Sequence, residues 1–600
     1  MPGPLPDLVL TWQLDGLGAF FAALIAVVSG LAAVYAVGHR SHGPGFRGSG
    51  LLFALFVLSM VAVVLAADAF SFLAAWETMS LASFGLVLTD HRRSDVRRSA
   101  WMYVVMTHTA TAFIVVAFLT LARATGSLSF ADWSARSSGL DATTASLVFV
   151  LGLLGFGTKA GMIPLHVWLP RAHPVAPSHV SAVMSGVMIK LGIYGLVRLT
   201  FDWLAAGPAW WGSLVLILGA ASAVLGVLYA LMEHDLKRLL AYHSVENIGI
   251  ILLGLGTAIV GRSLGLPGIV ALGLTAALFH VANHATFKAL LFLGAGAIDG
   301  AVGTRDIERL GGLIRRMPGT AICFLIGSAA ISALPPLNGF ASEWLTFQAL
   351  LSLGRSGVNA ATALLPLLAG GALALTGALA LACFVKAFGV SFLALPRSPR
   401  AAAAHDASVL ELVPMATLAA ACVALGVGAS PTVALIGALV PSATLGGGLA
   451  LGPFDTSSGR LALPGIALAL ACVGGLAAAA PRLLGRVSTR VGETWACGVT
   501  LHPIHGYTST AFAKPIRLMF RGIVRPVRDV EIVRRAGTRF AASIRYRAQV
   551  APVFERYVYR AVTETLVLGA HLVRRAQNGS LQTYLAYLFV ALLATLVLAR

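Results

Sequence analysis

The stretch FHVANHATFKALLFLGAGA, beginning at Phe279, places His280, His284 and Lys288 four residues apart inside an otherwise apolar run. Four residues advance a helix by about 400°, so each side chain lies roughly 40° around from the last and the three share one wet face. Two imidazoles and an amine on one stripe can hand protons along it. Further ionisable groups stand in apolar surroundings: Glu77 in LAAWETMSLASF, Lys159 in LLGFGTKAGMIP, Lys190 in SGVMIKLGIYG, Glu246 in AYHSVENIGII, Glu343 in NGFASEWLTFQ and Lys386 in LACFVKAFGVSF. Charge inside a bilayer is expensive and by default marks a functional path. Structural pairing or snorkelling accounts for one such residue; it does not account for the series.

The elements that position these groups follow from composition. The 600 residues are 58% hydrophobic and 11% charged, far from the roughly one-quarter charged content of soluble domains, which places the chain in the membrane class. The formal net charge of +19 sits in short loops and one carboxyl-terminal block. No aromatic–basic interleaving or reader motif accompanies it, so nucleic acid is excluded as a partner. Five scattered cysteines have no ligand spacing, which argues against a metal, a cluster or a disulfide. The amino terminus MPGPLPDLVLTWQLDGLG lacks the basic and apolar regions of a cleaved signal. No cofactor is expected.

A span needs about 20 apolar residues, and on that criterion the expected architecture is an all-α polytopic membrane protein of about 14 transmembrane helices. They fall near 14–37, 49–66, 69–89, 99–121, 145–163, 178–200, 209–231, 238–260, 267–297, 318–352, 361–393, 410–429, 461–482 and 581–599. Stretch 431–450 is too rich in Gly and Pro for a span and reads as a loop or partial helix. The basic segments 91–98, 233–238, 304–316, 396–400 and 483–580 all fall on one side, which the positive-inside rule makes cytoplasmic. Both termini are then expected on the outer side of the plasma (inner) membrane.

Lys514 to Arg575 mixes many basic residues with spaced aliphatics and aromatics, a pattern of amphipathic helix lying on a membrane surface or across neighbouring helices. An apolar anchor helix follows. Near Lys159 and Glu343 the helices are interrupted: Pro164 frees the carbonyl of Ala160, and Pro335, Pro336 and Gly339 break the run before Glu343. Interrupted helices in corresponding positions of two halves point to the ion site of an inverted-repeat transporter. The expected organisation is an N-terminal helix over 1–48, half-channel repeats over 49–231 and 238–429, an additional helix and cytoplasmic linker over 430–512, a basic lateral amphipathic helix region over 513–578 and an anchor over 579–600.

Three stretches, GTKAGMIPLHVWLPRAHPVAPSHVSAVMSGVMIKLGIYGLVR (157–198), DLKRLLAYHSVENIGI (235–250) and HVANHATFKALLFLGAGAI (280–298), resemble the signature helices of the antiporter-like, proton-translocating membrane subunits of respiratory complex I. Within that superfamily the wording APSHVSAVMSGVMIKLGIYG and ETWACG…YTSTAFAKPIR (493–517) is most similar to the large membrane subunit of group 4 hydrogenases, as in hydrogenase-4 and formate hydrogenlyase. The resemblance covers 49–400 strongly and the tail moderately. It implies that Glu77 is the acid of the WE motif, that Lys159 and Lys190 are the lysines of the first broken helix and its successor, and that His280, His284 and Lys288 form the central relay. Glu343 is then the terminal titratable residue of the second broken helix, and the tail is the lateral helix and anchor. The chain departs from the pattern in three places. The family's first two helices have no counterpart here, Glu246 and Asn247 replace a Ser-His pair, and Lys386 has no firm counterpart.

These lines converge on proton translocation. Burial favours the neutral form of a lysine and a nearby carboxylate the charged one, so moving Glu77 relative to Lys159 changes proton affinity. Protons are expected to enter near Lys190, pass the central stripe and leave near Glu343. Three classes compete: a subunit of a redox-driven complex whose hydrogenase- or dehydrogenase-type arm lies on other chains, a cation/proton antiporter subunit (stand-alone or multi-gene), and a membrane subunit for inorganic-carbon uptake. The basic lateral block favours the first, with other membrane-arm subunits as partners. Catalysis in this polypeptide itself is not expected, because there is no P-loop, nucleotide fingerprint or cluster-ligating set, and GAGAIDG (294–300) is too weak to place a phosphate. The triplet Asn578-Gly-Ser580 reads as chance.

Overall fold

Helix ends fall where the chain supplies caps. In a computed structural model, which describes residues 10–39, 48–357, 360–439, 463–485, 492, 495, 497–534, 537–550, 553–576 and 579–598, the first helices are α1 (Gly16–His39), α2 (Ser49–Leu65), α3 (Ala69–Val87), α4 (Ser94–Thr125), α5 (Phe130–Arg136) and α6 (Ala142–Ala160). Asp68 caps α3 by accepting from the Ser71 N–H at 2.8 Å, and Asp141 caps α6 by accepting from Thr143 and Thr144 at 3.0 and 2.9 Å. Gly126 and Gly161 close α4 and α6 with φ of 70° and 83°, a region that costs glycine little.

After the first break come α7 (Leu169–Val175), α8 (Ser178–Val183), a π-turn over Met184–Met188, α9 (Ile189–Val197), α10 (Ala209–Met232), α11 (Leu236–Ser263) and α12 (Pro267–Val302). Of these, α11 is buried along almost its whole length. It approaches α10 so closely that a Cβ on Gly226 would lie 2.6 Å from the Glu246 nitrogen, and one on Gly249 2.4 Å from that of Ala223. Small residues permit such contact between membrane helices. The remaining helices of this unit are α13 (Pro318–Ile331), α14 (Asn338–Arg355), α15 (Ala360–Phe392), α16 (Pro399–Ala402), α17 (Val409–Val427), α18 (Ala429–Leu439), α19 (Leu463–Leu484) and α20 (Ser509–Met519). The chain divides at Leu518/Met519. The second unit holds α21 (Arg521–Val524), an antiparallel hairpin of β1 (Pro526–Arg534) and β2 (Ala541–Val550), α22 (Arg560–Ala576) and α23 (Leu581–Leu598).

Among the described residues ten helices are long and apolar enough to cross a membrane, and five shorter apolar helices accompany them. The structure therefore supports an integral, mostly helical protein, without fixing the expected fourteen spans. Two expectations are corrected. The single span 318–352 is two helices, because the chain turns at Pro335 and Pro336 between Ile331 and Asn338. The amphipathic region 513–578 is not continuous helix: the β-branched alternation in PVRDVEIVR and its partner AASIRYRAQV pairs as a hairpin. Of the Gly- and Pro-rich stretch 431–450, the first part is helical as α18; residues 440–450, like 493–494, 496 and Asn578, lie outside the described residues.

The loops carrying the basic segments 91–98, 233–238, 304–316 and 396–400 meet at one end of the first unit. Arg93, His234, Arg305 and Glu308 line one cavity, and the Arg397 N–H donates to the Leu310 carbonyl at 3.1 Å. The other ends of α3, α4 and α9 surround a larger hollow of about 1230 Å³ with Asp15, Asp68 and Arg198 on its wall. There, burial raises the proton affinity of Asp15, but bonds from Arg198 and the Gly18 N–H outweigh it and leave the carboxyl below the usual carboxylate range.

Candidate functional site

Position along α3 sets the first cluster. Glu77, Ser80 and Ser83 recur every three residues, which puts them on one face. The Lys159 ammonium, at the end of α6, is fully buried and donates to Ser80 Oγ at 2.9 Å. It also stands 5.6 and 5.7 Å from the ring centroids of Trp76 and Tyr103, where the π-faces favour a cation. Glu77 does not pair with Lys159 directly. One carboxylate oxygen lies 3.3 Å from His108 Nε2 on α4, and the other is buried without a hydrogen-bond partner. A link leads inward from this cluster: the Tyr103 hydroxyl is 2.6 Å from Ser83 Oγ and 3.6 Å from Met188 Sδ, in the π-turn two residues before Lys190.

The second cluster joins five elements. Lys190 on α9 donates to the Ser185 carbonyl, and Ser185 Oγ lies 2.7 Å from Ser244 Oγ on α11. Two residues on in α11, Glu246 accepts from His243 Nδ1, a partner three residues earlier in the same helix. Asn247 donates through Nδ2 to the His243 carbonyl at 2.8 Å, so its Oδ1 is turned to His280 Nε2 at 3.1 Å. That contact requires the proton on His280 Nε2 and leaves Nδ1 facing Ser342 Oγ of α14 at 2.9 Å. Asn283 completes the group by donating to Ser342 Oγ at 2.9 Å and to the Asn338 carbonyl at 2.8 Å.

Between these bonds the stripe read from the sequence is present on α12. The rings of His280 and His284 are 6.4 Å apart, and Lys288 follows one turn on, its ammonium 5.8 Å from the Phe292 ring. Both His284 ring nitrogens and the Lys288 ammonium are buried without a hydrogen-bond partner. Buried polar groups in native structures are ordinarily satisfied by protein or ordered water, so such a row is suited to passing protons through water.

Glu343 and Lys386 lie apart from that row. Glu343 is 6% exposed and faces a cavity of about 460 Å³, otherwise lined mainly by apolar groups such as Phe340, Phe347 and Leu373. Lys386 donates to the carbonyls of Leu231 and Glu233 at 2.6 and 2.9 Å, closing the C-terminal end of α10. Beyond α10, burial raises the Glu233 carboxyl above its ordinary value against the pull of Arg238 and Lys386, and burial holds His234 below the usual imidazole range. Sequence reasoning missed His243, Ser342 and Ser80, and it noted Asn247 only as a departure from the family pattern, not as a partner of His280. For His243 a signal was available, since a histidine three residues before a buried glutamate on a helix is its neighbour.

Residues 66–365 match the family described as NADH:quinone oxidoreductase/Mrp antiporter, TM. The chain is 41% identical over 601 residues, 98% of its own length and 89% of the relative's, to hydrogenase-4 component B of Escherichia coli K12. It is 35% identical to formate hydrogenlyase subunit 3 of the same organism, over 86% of this chain and 81% of that one. Among solved structures it is similar to a chain of the membrane-bound sulfane sulfur reductase, an archaeal respiratory membrane complex, with a TM-score of 0.79 and 26% identity over 99% of this chain and 90% of that one.

Proposed function

This chain belongs to the NADH:quinone oxidoreductase/Mrp antiporter transmembrane family, and on that premise we propose that it is a proton-translocating membrane subunit of a redox-driven multisubunit complex. The hydrogenase- or dehydrogenase-type arm lies on other chains. One observation carries the reading: His280 is held between Asn247 and Ser342 while His284 and Lys288, one and two turns away, are buried with no bonding partner. A structural group would ordinarily find its partners in the protein, whereas groups left to water can relay protons through it.

Protons enter from the basic-loop side, taken as cytoplasmic, near Lys190. They cross by way of Lys288, His284 and His280, with Glu246 beside the row, and leave toward the outer side near Glu343, next to the Ser342 that meets His280. The Glu77–Lys159 cluster, coupled through Ser80 and Tyr103, sets the charge state at the head of the row. Segments 49–231 and 238–429 act as two inverted half-channels, each with a helix break beside its titratable group. Lys386 serves the row by closing α10. The protein sits in the plasma membrane with both termini outside, beside other membrane-arm subunits.

The test uses the assembled complex in sealed vesicles with its electron donor and a dye that reports proton uptake. Lys159→Met and Glu343→Gln should each reduce donor-driven uptake to the donor-free background while the complex still assembles. Uptake at the wild-type rate in both variants would sink the reading. Uptake that needs no electron donor and exchanges against Na⁺ or K⁺ would instead make the protein an antiporter subunit.

A further inference from the structure

His173, on the short helix after the first break, takes no part in the row described above. It is fully buried, and both of its ring nitrogens lack a hydrogen-bond partner. Its ring lies 5.0 Å from that of Phe292, the same ring that carries the Lys288 ammonium 5.8 Å from its centre. An imidazole and the last amine of the central stripe thus flank one aromatic side chain.

On its other side the backbone around His173 is tied to the basic-loop end. The Pro174 carbonyl accepts from Arg305 Nη1 at 2.7 Å, and the Ala176 carbonyl accepts from the Lys237 ammonium at 3.0 Å. Lys237 is only 2% exposed, and among the described residues its one hydrogen bond goes to that carbonyl. Arg305 in turn binds Asp235 at 3.0 Å and Asp299 at 3.5 Å. These two carboxylates and Arg305 line a polar cavity of about 540 Å³ among the basic loops. Lys237 feels the charges of Asp235, Asp299 and Arg305; His173 feels those of Lys237, Lys190 and Lys288. A polar vestibule, a buried amine, a buried imidazole and the central amine therefore follow one another from the loop end inward.

We propose that Lys237 and His173 form the inlet that loads Lys288 from this vestibule. The inference rests on the proton-translocating reading and adds to it a second entrance, at the Lys288 end of the row, beside the one near Lys190. In one transfer a proton from vestibule water, passed by way of Lys237, binds the free ring nitrogen of His173. The proton on the other ring nitrogen leaves for the Lys288 amine, so the imidazole ends neutral with its tautomer exchanged and Lys288 ends as the ammonium. Water rotation or a ring flip resets it. A neutral side chain without two nitrogens cannot make this exchange.

The experiment uses the assembled complex in vesicles that expose the loop side to the medium. His173→Gly should lower donor-driven proton uptake by roughly a hundredfold or more. Added imidazole should restore most of it, whereas pyrazole, of equal size but a far weaker base, should not. Lys237→Met should lower uptake and Lys237→Arg should keep it. Wild-type uptake in His173→Gly and Lys237→Met, or a loss that both azoles or neither azole repairs, overturns the proposal and leaves His173 a packing residue. If the glycine variant does not assemble, His173→Gln, closer in volume, takes its place; uptake at the wild-type rate in that variant also overturns it. A wild-type complex that takes up no protons sinks the function itself, whereas one whose uptake needs Lys159 but not His173 sinks only the inlet.

Discussion

Lys386→Met separates a structural lysine from a conducting one. The ammonium donates two hydrogen bonds, to the carbonyls of Leu231 and Glu233, from a fully buried position. Methionine keeps the apolar stem and removes both donors. Each buried carbonyl left without a partner costs about 1–3 kcal/mol. After the helix end relaxes, the junction of α10 and α11 should lose about 2–4 kcal/mol of local stability. At 1.4 kcal/mol per factor of ten, that raises the open population of the Glu233–Asp235 turn by roughly thirty- to several-hundred-fold. Trypsin reads this population, since Lys237 and Arg238 follow directly and cleavage of a transiently opened segment tracks its equilibrium when opening is fast. The expected result is much faster cut-off of the chain at 237–238, with donor-driven proton uptake per intact complex preserved. If uptake disappears while the cleavage rate stays at the wild-type value, the capping argument is wrong and Lys386 conducts.

Two further outcomes follow from local geometry. Glu308 accepts from the Thr510 N–H at 2.7 Å, the Thr510 hydroxyl at 2.6 Å and the Ser509 N–H at 3.2 Å; Glu308→Ala should therefore destabilise the start of α20 by about 1–2 kcal/mol, seen as faster tryptic cleavage after Arg517. At Asp68 burial raises proton affinity, but bonds from Ser71 and Thr11 outweigh it and hold the carboxyl below its ordinary value, so its stabilising contribution is complete above the unfolded value and is lost as pH falls through the lower folded one. The thermal midpoint of wild type should accordingly exceed that of Asp68→Asn at neutral pH and converge on it in acid; a constant gap down to pH of about 2 refutes the linkage.

The stripe His280–His284–Lys288 was legible because helical spacing alone fixes which side chains share a face, and α12 is an uninterrupted helix from Pro267 to Val302. The break at Pro164 was legible for a related reason, since proline cannot continue a hydrogen-bond ladder. The partners were not legible. Asn247 meets His280, and Ser342 meets it from the other side, only because α11, α12 and α14 converge, and nothing local in the sequence records that. Lys386 shows the same limit: in an apolar run it reads as a titrating group, yet its acceptors lie about 150 residues earlier in the chain. The hairpin over 526–550 was obscured differently. Arg alternating with Val, Ile and Tyr satisfies both an amphipathic helix and a strand, and pairing across the turn at 537–540 decided between them.

The carboxylate of Glu77 and the imidazole of His108 meet 3.3 Å apart with 30% and 46% of their side-chain surface open to the outside, well within α3 and α4. Hydrocarbon offers neither group a solvation shell. A copy of this polypeptide released from the ribosome without companions thus carries a polar blemish where fatty acyl tails should lie. Covering that pair by a membrane neighbour would then bear on biogenesis as well as on activity, since an orphan copy has nothing to shield it.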